Sequence, residues 1–259
     1  MGNGHDWNGI LGELNFALQP IVDIDTGKTF AFEALLRGHD AAGFASPHGF
    51  FDQAWRDGVL YQSDLRLRRK AVEQFTALDL AHTRLFYNLD NRVLEMPDYS
   101  PGNTSRLLAE FDLEPGRLIF EISERYEFRA YQETQKVLEL YKSQGSGIAV
   151  DDFGAGYSGL RLLYHSQPDL IKIDRFFIDG IDHDSRKMLF IGKIVDMAHV
   201  MGRRVVAEGV ETRAELNACR SIGCDFVQGY LVQRPSREPR DAHEVYEHIA
   251  PGGRARMAG

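Results

Sequence analysis

A disulfide scaffold needs more thiols than this chain has. Only two cysteines, Cys219 and Cys224, occur in 259 residues. They fall where a helix ends and a strand begins, and thiols so placed read as buried and reduced rather than as a metal site or a bridge. A long apolar run is missing as well. No stretch approaches the roughly 18 residues that cross a bilayer. Met1 to Gly9 is Gly-rich and polar, without the apolar centre of a signal peptide. A cytoplasmic setting with no membrane insertion is the expectation. Nor is positive charge in excess: 30 Lys and Arg face 38 Asp and Glu, a net charge of −8. That argues against polymeric nucleic acid as a partner, since backbone binding wants clustered Lys and Arg. A small anionic substrate stays open, because bound cations reverse the field of a pocket. No Gly-rich phosphate loop follows a strand, since Gly154-Ala155-Gly156 is too short for one. Nothing supports nicotinamide, flavin or haem chemistry. Low-complexity tracts, internal repeats and linkers are absent too.

What is present suits one large globular domain, with 43% hydrophobic and 26% charged residues. The length is one that α/β barrels routinely fill. Strands and helices alternate. The first strand is expected near Phe16 to Ile24 and the second near Thr29 to Leu35, joined by the tight turn Asp25-Thr26-Gly27-Lys28. So short a connection joins only antiparallel strands. Further strands are expected at Arg84–Asn88, Leu118–Ile122, Gly147–Val150, Leu170–Ile173, Arg204–Ala207 and from Phe226. Helical spacing marks 64–78, 129–141, 185–200 and 212–222, with a closing helix near 241–249. About eight strands, most followed by a helix, predict a modified (β/α)8 barrel of the TIM type with its first strand antiparallel to the rest. We expect one domain over residues 1–259, with a core at about 14–250 and short flexible termini.

The unusual polar residues fall at the ends of these strands. Glu33 lies late in strand two, Asn88 ends strand three and Glu121 sits late in strand four. Asp151 and Asp152 follow strand five, Lys172 and Asp174 close strand six, Glu208 follows strand seven and Gln228 strand eight. The C-terminal strand ends of a barrel form one rim, so these residues are expected to converge. Any one of them alone is more often a helix cap, a solvated charge or a surface lysine; the coincidence reverses the odds. Carboxylates crowded at one mouth repel unless a cation neutralises them. With oxygen donors and no His or Cys, the set suits two hard ions, Mg²⁺ or Mn²⁺. Two such ions can clamp the attacking and leaving oxygens of a phosphodiester. Lys172 can orient the attacking water, or act as base if its pKa is lowered.

At these residues the chain resembles the EAL family of cyclic di-GMP phosphodiesterases. The naming motif stands as Glu33-Ala34-Leu35-Leu36-Arg37, preceded by Leu18-Gln19-Pro20-Ile21-Val22. Asn88-Leu89, Glu121-Ile122-Ser123-Glu124, Asp151-Asp152-Phe153-Gly154, Lys172-Ile173-Asp174-Arg175, Ala207-Glu208-Gly209-Val210-Glu211-Thr212 and Gln228-Gly229-Tyr230 follow in order. The tripeptide alone says nothing; the ordered set, from about Phe16 to Pro235, is specific. The resemblance implies hydrolysis of cyclic di-GMP to linear 5′-pGpG, with Lys172, Glu208 and Glu33 as the catalytic set. It implies Glu33, Asn88, Glu121 and Asp151 as ligands of one metal, and Asp151, Asp152 and Glu208 as ligands of the second. Asp174 matches a position that holds the metal-bound water. Gln19, Leu36, Arg37, Glu211, Gln228 and Tyr230 match substrate positions, and Glu124 matches the glutamate that braces the loop from Asp152 to Ser158. Two Mg²⁺ or Mn²⁺ ions, inhibition by Ca²⁺ and a homodimer are implied as well. Ala155 and Gly159 depart from the usual Thr and Ser of that loop, Gly38-His39-Asp40 replaces a frequent Trp, and Asp90 stands where Ser is frequent. These departures leave the ligand set intact.

Two rival readings follow. A degenerate domain of the same family would bind cyclic di-GMP, or only protein, without cleaving it. Such domains lose metal ligands or the lysine, which are all present here. An enolising barrel enzyme also uses carboxylates and a lysine at strand ends. The Asp151-Asp152 pair and the set from Gln19 to Tyr230 count against it.

Overall fold

The computed structural model describes residues 5–100, 102–123, 131–154 and 159–252. Helix α1 (Trp7–Glu13) starts at Asp6, whose carboxylate accepts from the Gly9 N–H. The two strands that follow, β1 (Asn15–Asp23) and β2 (Thr29–Arg37), turn back at the expected hairpin. Asp23 Oδ1 accepts from the N–H groups of Asp25 and Thr26 and from the Thr26 hydroxyl. Antiparallel pairing sets Gln19 opposite Glu33.

From there each strand is reached by helical crossovers. After β2 come α2 (Pro47–Arg56) and α3 (Leu60–Thr76), then β3 (Arg84–Asn88) and α4 (Asn103–Glu110). Strand β4 (Leu118–Ser123), α5 (Tyr131–Ser143), β5 (Gly147–Phe153) and α6 (Gly159–Ser166) continue the order. They are followed by β6 (Leu170–Ile173), α7 (Arg175–Ile178), α8 (Ser185–Val200), β7 (Arg204–Ala207), α9 (Arg213–Ser221) and β8 (Phe226–Val227). The strands close into a barrel in sequence order. β2 to β8 run parallel to one another, and β1 runs antiparallel to both β2 and β8. The strands are apolar on both faces, as a covered barrel requires. Phe86, Ile119, Ala149 and Val206 fill the interior, while Leu85, Phe120, Val150 and Val205 meet the helices outside.

Where the structure departs from the expected elements, the causes are local signals overlooked or long-range pairing. Helix α2 was not expected, although Ser46 accepts from the Gly49 N–H and Pro47 stands at the first helical position, both standard start signals. Helix α3 begins at Leu60 rather than Asp64. Trp7 belongs to α1 and packs edge-on to Phe50 at 5.9 Å. The closing helix near 241–249 is absent: a 3₁₀ turn at Pro239–Asp241 gives way to extended chain. The backbone there is engaged by the hairpin. Glu244 and His243 carbonyls accept from the Thr29 N–H and hydroxyl, and Tyr246 N–H donates to the Gly27 carbonyl. Those pairings take the groups a helix would need. Cys219 and Cys224 are buried and free, as expected. Among the described residues no helix is long and apolar enough to cross a membrane.

Candidate metal centre

Lys172 stands at the middle of the C-terminal rim. Its ammonium lies 2.7 Å from Asp151 Oδ1, 2.7 Å from Glu208 Oε1 and 3.3 Å from Glu33 Oε2, and it also contacts Glu121 Oε1. The four carboxylates come from β2, β4, β5 and the turn after β7, so the rim brings together what the sequence separates. A side chain only 1% exposed among four acids is no surface lysine. Asn88 Nδ2 donates to Glu33 Oε1 at 3.1 Å, and Gln228 Nε2 donates to Glu33 Oε2 at 2.7 Å and to Gln19 Oε1 at 3.1 Å.

Asp151 and Asp152 are neighbours on a strand and would ordinarily face opposite ways. Here β5 carries an irregularity: Val150 pairs with Ile171 and Phe153 with Ile173, which leaves an extra residue between them. Asp152 takes a left-handed φ of 51°. One carboxylate oxygen from each of Asp151, Asp152 and Glu208 then lies within 4.8 Å of the others, a spacing that one metal ion can bridge. The two aspartates therefore stand on the strand itself, rather than after it as expected.

The electrostatics favour added cations. Burial, together with Glu33 and Asp151, pushes the Glu121 carboxyl well above the usual range. Burial, Asp151 and Glu33 do the same to Glu208. Burial and Asp151 bring Asp152 up to about 7. For Lys172 burial pulls downward, but Asp151, Glu121, Glu208 and Glu33 outweigh it and hold the ammonium well above the ordinary lysine value. Glu33 alone is held low: Lys172, Gln228 and Asn88 overcome its burial. One ammonium cannot balance five carboxylates. Glu121 is 1% exposed; its Oε1 meets the Lys172 ammonium, while its Oε2 has no hydrogen-bond partner among the described residues. A buried carboxylate oxygen without a donor, in a set of hard oxygen ligands, fits Mg²⁺ or Mn²⁺.

Two hollows flank this ring. One, of about 270 Å³, is lined by Leu36, Arg37, Pro47, Phe51, Asn88 and Asp90 among others. The second, of about 260 Å³, is lined by Gln19, Arg175, Glu211, Gln228 and Tyr230 among others. Glu33, Leu35, Asp151 and Asp152 border both. The substrate positions expected from the sequence thus fall on two sides of one acidic ridge. Arg37 donates to the Leu36 carbonyl at 2.9 Å. Glu211 is paired with Arg175 at 2.7 Å, and Tyr230 is 44% exposed with the Arg234 guanidinium 4.0 Å from its ring centroid. Asp174 caps α7 through the Phe176 N–H at 2.9 Å, and its carboxylate faces Asp152. Glu124 lies outside the described residues, as do 155–158 of the loop it was expected to brace.

Sequence reasoning passed over the wall that α2 contributes, Pro47 and Phe51, and it passed over Arg175 and Arg234. The Ser46-Pro47 start signal could have located the first pair. Arg175 stands at the end of the motif from Lys172, but its partner Glu211 is 36 residues away, and nothing local marks Arg234 as the cation over Tyr230.

Comparison with known proteins bears on this geometry. Residues 10–235 match the EAL domain. The bifunctional diguanylate cyclase/cyclic di-GMP phosphodiesterase MucR of Pseudomonas aeruginosa is 33% identical over 220 residues, 84% of this chain and 32% of MucR. The cyclic di-GMP phosphodiesterase RocR of the same organism is 32% identical over 238 residues, 88% of this chain and 58% of RocR. The chain therefore spans between a third and three fifths of these relatives. Among solved structures, the MucR phosphodiesterase in complex with c-di-GMP superposes with a TM-score of 0.79 at 31% identity, covering 92% of this chain and 98% of that one. The manganese/cy-diGMP complex of Klebsiella pneumoniae BlrP1 gives 0.76 at 33% identity, covering 86% and 56%.

Proposed function

The chain belongs to the EAL domain family, and from that membership we propose that it hydrolyses cyclic di-GMP to linear 5′-pGpG with two divalent metal ions. The observation that carries the reading is the ring of carboxylates around Lys172, with the partnerless Oε2 of Glu121 inside it and a hollow on either side. Relatives of known activity act on this nucleotide, and two hollows across one acidic ridge suit a substrate with two bases and two phosphates.

Glu33, Asn88, Glu121 and Asp151 would hold one Mg²⁺ or Mn²⁺, and Asp151, Asp152 and Glu208 the other. Bound there, the ions supply positive charge to the attacking and departing oxygens of the phosphodiester. The residues of the chain do the rest. Arg37 offers its guanidinium to a phosphate oxygen. Gln19, Leu36, Glu211, Gln228 and Tyr230 hold the guanosine moieties in the hollows, the Tyr230 ring offering a face to a base. Lys172, fixed by its acids, donates a hydrogen bond to the attacking water and aims it at phosphorus. Asp174, whose carboxylate faces Asp152, takes up one proton of the same water. As the water oxygen bonds to phosphorus, the bond to the 3′ oxygen breaks, and the proton taken up by Asp174 returns through solvent to that oxygen, giving the 3′ hydroxyl of pGpG. Ca²⁺ should inhibit, because its longer and looser coordination spoils a two-ion clamp.

The test is hydrolysis of cyclic di-GMP with Mn²⁺ or Mg²⁺, followed by chromatography. Wild type should yield pGpG, with Glu33→Ala and Lys172→Ala slower by at least about 10²-fold, the scale of a lost acid–base or orienting group. Tight binding without any cleavage would make the domain a receptor. Indifference to the nucleotide would end the assignment.

A further inference from the structure

Charge also gathers at the opposite end of the barrel. Strands β3 and β7 both open on arginine, Arg84 and Arg204. The two-residue repeat of a strand places Arg84 on the side of Phe86 and Arg204 on the side of Val206, and both of those lie inside the barrel. Phe30 arrives there differently. Ala31 pairs with Ile21 and Thr29 with Val22, so Phe30 is the extra residue of a bulge, and its ring joins the inner cluster. It stacks on Phe226 with centroids 4.1 Å apart. The guanidinium carbons of Arg84 and Arg204 each lie 4.7 Å from the Phe30 centroid, and Arg204 is 5.0 Å from that of Phe226.

Guanidiniums gathered on one ring repel each other, and a carboxylate ordinarily offsets them. Among the described residues neither arginine forms an ion pair. The acids at this end are used elsewhere. Asp23 holds the hairpin turn. Asp169 accepts from the Ile148 N–H, and Asp225 from Val205 N–H beside His199. Burial, Arg204 and Arg117 all pull Arg84 below the ordinary arginine value, the mark of positive charge left unbalanced. Arg84 is half-buried and Arg204 exposed, so solvent reaches the pair.

We propose that Arg84 and Arg204, seated on the Phe30–Phe226 stack, form a binding site for a small phosphate-bearing anion at the N-terminal mouth of the barrel. A guanidinium stacked on an aromatic face keeps its plane and leaves its N–H edge free, and that edge matches phosphate oxygens in pairs. The two cations converge on one ring rather than spreading along a strip, which suits a compact multivalent anion better than an extended acidic peptide. The site is separate from the carboxylate ring and does not depend on what that ring does.

The test is calorimetric titration of pyrophosphate, with AMP run beside it, into the whole chain at constant ionic strength. A chelator is present so that metals at the rim contribute nothing. Wild type should show one saturable site, weakened at least about tenfold in the Arg84→Gln/Arg204→Gln double variant with an unchanged circular dichroism spectrum. Arg84→Lys, which keeps the charge and loses the fork, should fall between them. A preference for AMP assigns the anion to nucleotides, and equal or weaker AMP binding assigns it to free phosphates. Either result carries the proposal. Absence of a saturable site in wild type overturns it, as does undiminished affinity in the double variant. So does tighter binding of an octaglutamate peptide than of pyrophosphate, which would make this face a protein contact. Should the double variant fail to fold, unchanged affinity in Arg84→Lys is the overturning result.

Discussion

Replacing Lys172 by methionine probes the metal centre most directly. The side chain keeps its length and apolar stem but loses the one cation among Glu33, Glu121, Asp151 and Glu208. Removing one partner of a buried ion pair typically costs about 3–5 kcal/mol, because the other charge is left uncompensated. Here several acids are stranded, so the upper half of that range is the expectation at pH 8 without metal. For a chain of this length each kcal/mol moves Tm by about 2–4 °C, so a fall of roughly 8–20 °C should appear in thermal melts with a chelator present. The loss should depend on pH with a definite sign. Glu121, Asp151 and Glu208 are already raised above their ordinary values in the folded chain, and loss of Lys172 raises them further. A carboxyl whose folded pKa exceeds its unfolded one binds more protons when folded, so its burden on stability grows as pH rises through that interval. The deficit of Lys172→Met should therefore be small near pH 5 and large near pH 8. Saturating Mn²⁺ should recover part of it, since cations in the ring replace the missing charge. A deficit that is flat with pH and untouched by Mn²⁺ would refute the idea that Lys172 holds the ring together by charge.

Two further substitutions probe its parts. Glu121→Gln keeps the shape and removes one of five carboxylates that share a single ammonium, its Oε2 without a donor among the described residues, so the metal-free chain should gain on the order of 1 kcal/mol in denaturant melts, while Mn²⁺ affinity by calorimetry should fall. A metal-free loss with unchanged Mn²⁺ affinity would contradict it. Gly229→Ala would set a Cβ 2.1 Å from the Val210 carbonyl oxygen and 2.3 Å from its nitrogen, at a backbone φ of 156°. The end of β8 must then shift and carry Gln228 away from Glu33. A loss of about 1–3 kcal/mol is expected from such overpacking, read by denaturant unfolding, and an unperturbed stability would show that the turn has room to spare.

Much of the architecture was legible because its signals are local. The Asp25-Thr26-Gly27-Lys28 turn is too short for anything but a hairpin, and that alone reversed β1 against its neighbours. Strands 170–173 and 204–207 and the helix 185–200 fell where their periodicity put them. The candidate site was legible for a topological reason: in a parallel barrel every strand end belongs to one rim, so position along each strand predicts proximity in space.

What the sequence by itself determined, then, is the order of the strands, the reversed first strand and the identity of the acids at the rim. Tertiary structure alone decided the bulge that turns Asp151 and Asp152 to one side, the burial of Lys172 among four carboxylates, and the non-helical course of 242–249. The same holds for the arginines over Phe30. Periodicity reports which face of an element is apolar, and it carries no information about which distant backbone will claim a hydrogen bond. The segment near 241–249 reads as a closing helix, but the hairpin at Gly27 and Thr29 takes the carbonyls of His243 and Glu244 and the N–H of Tyr246 first.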